Sequence, residues 1–425
     1  MSTVDSQKWT RCSLAPIRRG ITHILDHPSR VAPVFQPIVR LDSRDVIGFE
    51  ALARWPESPG VNPVEAFDVA RTLGEVARLD WWCRRRAFET AVVDEMDRSQ
   101  YLFMNVEPDT LASPPPWQDD RLLADVEESG IQIVLELTER TLLSDPSTVL
   151  RTVEQSRRSG YGIALDDIGA RVDGLALLDV IAPDVVKFDR GLTHMDESTI
   201  ETALAITIAG EYARRHDVAI IAEGVETSAH ERCAEQLGAT LGQGFRYGRP
   251  GPLSDVAPLV GPRPRLVDTT RGRVDPLRAI SDRVPTAVGS LADVLSMCDA
   301  VENAALEETT PGCVVAALQG ARHISAEIAA RYRDLARRQL LVGLTGPGLG
   351  RAPQPGVLGP LTPDTAPDDT FAVAVIAAGH AVAVIATAID GPGRPGTGDY
   401  RWCITTDRTV VAEIARSIIV DLAPR

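Results

Sequence analysis

The chain is nearly without lysine: of its 44 basic residues only Lys8 and Lys187 are Lys, and all the others are Arg. Where Arg is the default, a Lys inside the fold marks a position that takes a compact ammonium rather than a planar fork. Asparagine is as scarce, at Asn62, Asn105 and Asn303. Asn105 falls in an apolar stretch that reads as a strand, where Asn is disfavoured. The six cysteines (Cys12, Cys83, Cys233, Cys298, Cys313, Cys403) are scattered and show no CxxC spacing. That argues against a zinc site and a disulfide framework and for reduced thiols in a cytoplasmic protein. No apolar segment of signal-peptide length opens the chain. One run, Phe371 to Ile389, approaches the roughly 20 residues that span a bilayer, but Gly379-His380 interrupts it and aromatic anchors are missing at its ends. Two buried strands around a tight turn are predicted there, and no membrane association.

Positive charge is also short. The net charge of -15 argues against a nucleic-acid polymer as partner, since such binding runs on Lys and Arg against phosphate. Residues 259–425 carry 17 Arg against 18 Asp+Glu, so nearly all of the excess lies in residues 1–258, at -14 against -1. A phosphate-bearing ligand there would need metal ions or a few placed cations.

With 425 residues, 44% apolar and 24% charged, the chain is globular and long enough for two or three domains. After an N-terminal segment (1–30) with a short helix over Ile17 to Leu25, a β/α rhythm begins. Strands are predicted at Val34–Arg40, Val46–Ala53, Tyr101–Val106, Ile131–Leu137, Gly162–Leu165, Val185–Phe188, Ala219–Ala222 and near Gly244–Tyr247. Helical spacing fills Pro63–Leu79, Asp80–Ser99, Pro146–Ser159 and Glu197–Arg215. Eight strands with helices between most of them predict an α/β fold, a (β/α)8 TIM-like barrel over residues 31–255 whose first two strands form a hairpin. A Pro/Arg/Asp-rich linker (256–285) and a smaller α+β domain (286–425) follow, the latter with helices at Leu291–Glu307, Ala326–Gln339 and Thr409–Leu422 and strands at Leu340–Leu344, Phe371–Ala377 and Ala381–Ala388.

The stretch Ile163-Ala164-Leu165-Asp166-Asp167-Ile168-Gly169 sets adjacent carboxylates at the end of an apolar strand. Taken alone, such a pair reads as a solvated turn. The other strand ends change that reading: Glu50, Asn105, Glu136, Lys187 with Asp189, Glu223 with Glu226, and Gln243 fall about once per strand. In a parallel barrel those ends form one rim, where function sits. Oxygen ligands without His or Cys select a hard cation, Mg2+ or Mn2+, and two such ions suit displacement at a phosphodiester.

These residues carry a family resemblance. Phe49-Glu50-Ala51-Leu52-Ala53-Arg54-Trp55 resembles the signature of EAL-domain cyclic di-GMP phosphodiesterases. Gln36-Pro37-Ile38, Met104-Asn105-Val106, Glu136-Leu137-Thr138-Glu139, Leu165-Asp166-Asp167, Lys187-Phe188-Asp189, Glu223-Gly224-Val225-Glu226-Thr227 and Gln243-Gly244-Phe245 follow in consistent order. The resemblance implies hydrolysis of cyclic di-GMP to linear pGpG by a homodimer with two Mg2+ or Mn2+ ions. It assigns Glu50, Asn105, Glu136 and Asp166 to one ion, Asp167 and Glu223 to the second, and Lys187 to the attacking water. Gln36, Leu52, Arg54, Asp189 and Gln243 would face the dinucleotide, while Glu139 and Glu226 steady the loops.

Family members commonly follow the Asp pair with Phe-Gly and a small-residue loop that links the dimer interface to the second metal; here the chain reads Ile168-Gly169-Ala170-Arg171-Val172-Asp173-Gly174. That departure motivates an alternative, a catalytically weak or inactive barrel that binds cyclic di-GMP and signals to a partner. A barrel enzyme of the enolase or phosphatase type would instead need a separate acid/base residue on the rim. The C-terminal domain resembles the DICT sensory domain through Arg322-His323-Ile324-Ser325, Arg331-Tyr332, Leu340-Leu341-Val342-Gly343 and Trp402-Cys403-Ile404-Thr405-Thr406-Asp407-Arg408. It implies a regulatory role with a ligand or protein partner that the sequence does not identify.

Overall fold

The computed structural model describes the chain apart from residues 1–13, 28–29, 57–60, 97, 108–109, 111–112, 118–123, 125–127, 139–144, 170–172, 195–198, 254–264, 309, 363–369, 390–398 and 424–425. Eight strands close into a barrel in chain order. They are β1 (Ala32–Arg40), β2 (Val46–Arg54), β3 (Tyr101–Asn105), β4 (Gln132–Thr138), β5 (Gly162–Ile168), β6 (Val185–Phe188), β7 (Ala219–Ala222) and β8 (Leu241–Gln243). The (β/α)8-type barrel expected from the strand rhythm is therefore the one that forms. β1 is antiparallel to both β2 and β8, whereas β2–β3, β3–β4, β5–β6 and β6–β7 pair in parallel. The link between β1 and β2 is too short for the crossover a parallel pair needs, so the hairpin is forced.

The chain divides into two compact units. The first comprises residues 1–136, 225–227 and 241–264. It holds helices α1 (Leu14–Asp26), α2 (Pro63–Leu73) and α3 (Val76–Val93). Spacing predicts one helix from Pro63 to Leu79, but the structure breaks it at Gly74, whose φ of 69° ends α2 in a left-handed cap. There Gly74 N donates to Arg71 O and Glu75 N to Ala70 O, which satisfies the last carbonyls. The start is fixed by Asn62, whose side chain accepts from Glu65 N at 2.9 Å. Ile21, Val31, Trp55, Ala66, Val69 and Leu79 pack the helices together. The eighth strand lies at Leu241–Gln243, three residues before the predicted 244–247. Gly244 cannot continue it: its φ is 154° and a Cβ there would sit 2.3 Å from Val225 O, so the chain turns instead, with Tyr247 N donating to Gly244 O.

The second unit comprises residues 137–224, 228–240 and 265–425. Beside β5, β6 and β7 it holds α4 (Pro146–Arg158), α5 (Leu178–Ile181), α6 (Arg190–His194), α7 (Ile200–His216), α8 (Ser228–Gln236), α9 (Leu277–Arg283), α10 (Leu291–Glu307), α11 (Ala326–Ala336) and α12 (Arg408–Ile419). It also holds a six-stranded sheet in the order β11-β10-β12-β13-β14-β9. Its strands are β9 (Ala287–Ser290), β10 (Cys313–Ala317), β11 (Leu341–Thr345), β12 (Thr370–Ile376), β13 (Ala381–Ala388) and β14 (Asp399–Thr405). The long apolar run folds as the antiparallel pair β12–β13, closed by Ala377 N donating to His380 O at 2.8 Å. Among the described residues no helix is long and apolar enough to cross a membrane. Val314, Tyr332, Val342, Phe371, Val373 and Val384 lie in the core of this sheet.

Helix α12 buries Val411, Ile414, Ile418 and Ile419, each worth about 1.5–3 kcal/mol relative to exposure. Two of its arginines reach α5. Arg408 Nε bonds the carboxylate of Asp179, and Arg416 Nη1 donates to Asp179 O at 2.6 Å. Arg215 Nη1 from α7 adds a third contact at 2.8 Å. Burial pushes the Asp179 carboxyl up, but His216, Arg408 and Arg215 outweigh it and hold it below the usual carboxylate range. A second buried carboxylate, Asp184, gathers residues 265–271 in the same way. It accepts from Ile163 N (2.9 Å) and Asp268 N (3.0 Å) and pairs with Arg271 Nε (3.3 Å). The segment read from sequence as a linker is thus partly fastened to the base of β5, and residues 277–283 form a helix.

Candidate functional site

The expected rim residues form two groups, one in each unit. In the first, Glu50 lies in β2 opposite Gln36 of β1, on a hairpin register that runs from Ala32↔Arg54. Its Oε1 accepts from Asn105 Nδ2 at 2.9 Å and its Oε2 from Gln243 Nε2 at 2.6 Å. Gln243 Nε2 also reaches Gln36 Oε1 at 3.2 Å, and Gln36 Nε2 donates to Gly248 O at 3.3 Å. Four of the predicted residues are therefore one hydrogen-bonded chain. It explains why Asn ends a strand: Asn105 closes β3, where its amide steadies a carboxylate that is only 8% exposed. Glu136 pairs with Asn105 across β3–β4 and is buried. Leu52 is half-buried in β2, and Arg54 Nη1 donates to Ala53 O at 2.8 Å.

In the second group the strand end differs from expectation. β5 does not stop at Leu165 but runs to Ile168, with a register irregularity between Leu165 and Ile168 where it pairs with β6. Asp166 and Asp167 are the irregularity. Asp167 takes a φ of 60°, a left-handed conformation that Asp tolerates better than most side chains. Its N–H donates to Asp166 Oδ1 at 2.9 Å. A bulge of this kind re-aims side chains and turns what would be alternating residues toward a common side. Ile168, where the family commonly has Phe, is fully buried opposite Phe188. Residues 170–172 lie outside the described residues.

Asp166, Asp167 and Glu223 each offer a carboxylate oxygen, and these oxygens lie within 4.8 Å of one another. Lys187, wholly buried, puts Nζ 2.6 Å from Glu223 Oε1 and 3.4 Å from Asp166 Oδ1. Three carboxylates and one ammonium sum to -2, and anions this close repel unless a cation joins them. The donor set is all oxygen, which fits a hard divalent ion. Asp189 accepts from Gly191 N at 2.7 Å and so caps the start of α6. Glu226 is exposed past the end of β7, and Glu139 lies outside the described residues. Sequence reasoning missed His194, whose Nε2 lies 2.7 Å from Gly224 O, directly beyond Glu223. Nothing local marks it, because its partner lies 30 positions away in the turn after β7.

Among curated relatives, residues of this chain are 32% identical over 229 positions to the "Probable cyclic di-GMP phosphodiesterase PdeB" of Escherichia coli, covering 52% of this chain and 43% of that protein. They are 27% identical over 244 positions to the "Cyclic di-GMP phosphodiesterase RocR" of Pseudomonas aeruginosa, covering 56% of this chain and 61% of that one. The chain thus spans less than two thirds of the length of either relative. A solved structure of Klebsiella pneumoniae BlrP1, described as a manganese/cy-diGMP complex, aligns with a TM-score of 0.46 at 28% identity, over 52% of this chain and 56% of that one. The EAL domain family matches residues 22–250, more than half of the sequence, and this chain belongs to that family.

Proposed function

We propose that the protein hydrolyses cyclic di-GMP to linear pGpG in a reaction that depends on divalent metal, and that its C-terminal domain regulates the reaction. The observation that carries this reading is the convergence of Asp166, Asp167 and Glu223 within 4.8 Å beside a buried Lys187. On the family's pattern Glu50, Asn105, Glu136 and Asp166 would hold one Mg2+ or Mn2+, and Asp167 and Glu223 would hold the second. Bound there, two such ions supply an activated water and neutralise the non-bridging phosphate oxygens. Asn105 and Gln243 fix the Glu50 carboxylate from both sides. Lys187, with Nζ at the Glu223 carboxylate, orients the water and faces the negative charge that develops at phosphorus. Gln36, Leu52, Arg54 and Asp189 would face the dinucleotide. The likeness of the sheet domain to DICT sensors supports a ligand or protein partner for it, and the family supports a cytoplasmic homodimer.

The test is turnover of cyclic di-GMP by purified protein with Mg2+ or Mn2+, read as pGpG. Wild type forms product and Glu50→Ala forms none. Bound dinucleotide without product under either metal would refute hydrolysis and leave a receptor.

A further inference from the structure

The turn after Glu223 is gripped by the short helix α6. Gly224 has a φ of 64°, and a Cβ there would lie 2.6 Å from Arg190 Cγ, so the stem of Arg190 lies against its Cα. At the other end of α6, His194 Nε2 reaches Gly224 O at 2.7 Å. A carbonyl oxygen only accepts, so Nε2 carries the proton. The imidazole is stacked on His230 of α8, with ring centroids 3.8 Å apart and planes 32° apart. Glu223 N itself donates to Phe188 O at 3.1 Å. The Glu223-Gly224 dipeptide is therefore tied to the β6–α6 segment at three points, and the same segment supplies Lys187.

A left-handed glycine is the most freely rotating joint a backbone can have. The N–H side of the peptide beyond Gly224 is held by Val225 N donating to Gln243 O at 2.9 Å, and its carbonyl side is left to His194. Among the described residues it is His194 that bonds that carbonyl, with its own ring lying against His230.

We infer that His194 is a positioning residue: by holding the Gly224 carbonyl it sets the direction in which Glu223 leaves β7, and so aims that carboxylate at Asp166 and Asp167. This rests on the metal reading above. Groups that orient a ligand from outside the ligand set typically alter metal affinity by about 10–100-fold when removed.

The experiment is an Mn2+ titration of full-length protein without nucleotide, followed by the electron paramagnetic resonance signal of free Mn2+, with melting curves alongside. His194→Phe keeps a ring against His230 but has no donor, and His194→Gln restores an N–H at similar reach. His194→Phe and His194→Ala are expected to weaken Mn2+ binding about 10-fold or more, with His194→Gln recovering to within about threefold of wild type. Wild-type affinity in His194→Phe, or a loss in His194→Gln equal to that in His194→Ala, overturns the role of His194. Wild-type protein that binds no Mn2+ overturns the metal reading, and this inference with it, and is a separate outcome from unchanged binding in a variant.

Discussion

Replacing Asp179 by Ala removes a carboxylate that is 4% exposed and leaves Arg408 at 17% and Arg215 at 30% exposure without it. Removing one partner of a buried ion pair costs about 3–5 kcal/mol, because the remaining charges stay desolvated. Arg215 is exposed enough to regain water, so the lower end, about 3 kcal/mol, is expected. Arg416 keeps its bond to the Asp179 carbonyl, so α12 is weakened rather than released. At about 2–4 °C per kcal/mol for a unit of this size, the melting temperature should fall by about 6–12 °C. The assay is thermal melting of Asp179→Ala, Arg408→Ala and the double variant at neutral pH. Coupling of about 1 kcal/mol or more between the two sites is expected, since residues in contact are not additive. Additive losses, or a shift under about 2 °C for Asp179→Ala, would refute the clamp. Acid gives an independent check. The folded pKa of Asp179 is depressed, so its contribution is full above the unfolded value near 3.8 and is lost as pH falls through the folded one. The gap between wild type and Asp179→Asn should therefore close only on acidification below about pH 4.

Two further outcomes follow from the same geometry. Lys187→Met should lower turnover by about 10²–10³-fold, as loss of a charge placed at a developing anion does, measured as initial rates with saturating Mn2+. Gly74 and Gly244 should part company as Ala variants: a Cβ at Gly74 meets nothing within 4 Å, while one at Gly244 meets the Val225 backbone at 2.3 Å. Gly74→Ala should cost only about 1 kcal/mol of left-handed strain, and Gly244→Ala clearly more, by urea denaturation.

The barrel strands were legible because each is a short apolar run between helical segments, and the rim because one polar residue recurs at successive strand ends. β5 and β8 were read three residues off where a bulge and a constrained glycine override simple alternation. The second sheet was half invisible. β10 is buried at every position and so lacks a period of two. β9 is a four-residue exposed edge whose Ser290 doubles as the cap of α10, and β14 alternates too weakly to stand out from the Gly/Pro-rich run before it. Asp179 left no trace because Arg408 lies 229 positions away. Such pairs have no local spacing, and only the folded chain brings them together.

The Asp184 clamp bears on how the chain folds as it is made. β5 to β7 lie within the family match, yet their buried aspartate takes its Arg271 and Asp268 partners from beyond residue 250. As these strands leave the ribosome, Asp184 can pair with the buried Arg157 of α4, 3.8 Å away in the folded chain, but its second cation, Arg271, lies 87 residues further on. The boundary drawn by likeness is therefore not a folding boundary. A shortened chain ending at residue 255 would carry the whole recognisable barrel and leave Asp184 with Arg157 and Ile163 N but without Asp268 N and Arg271.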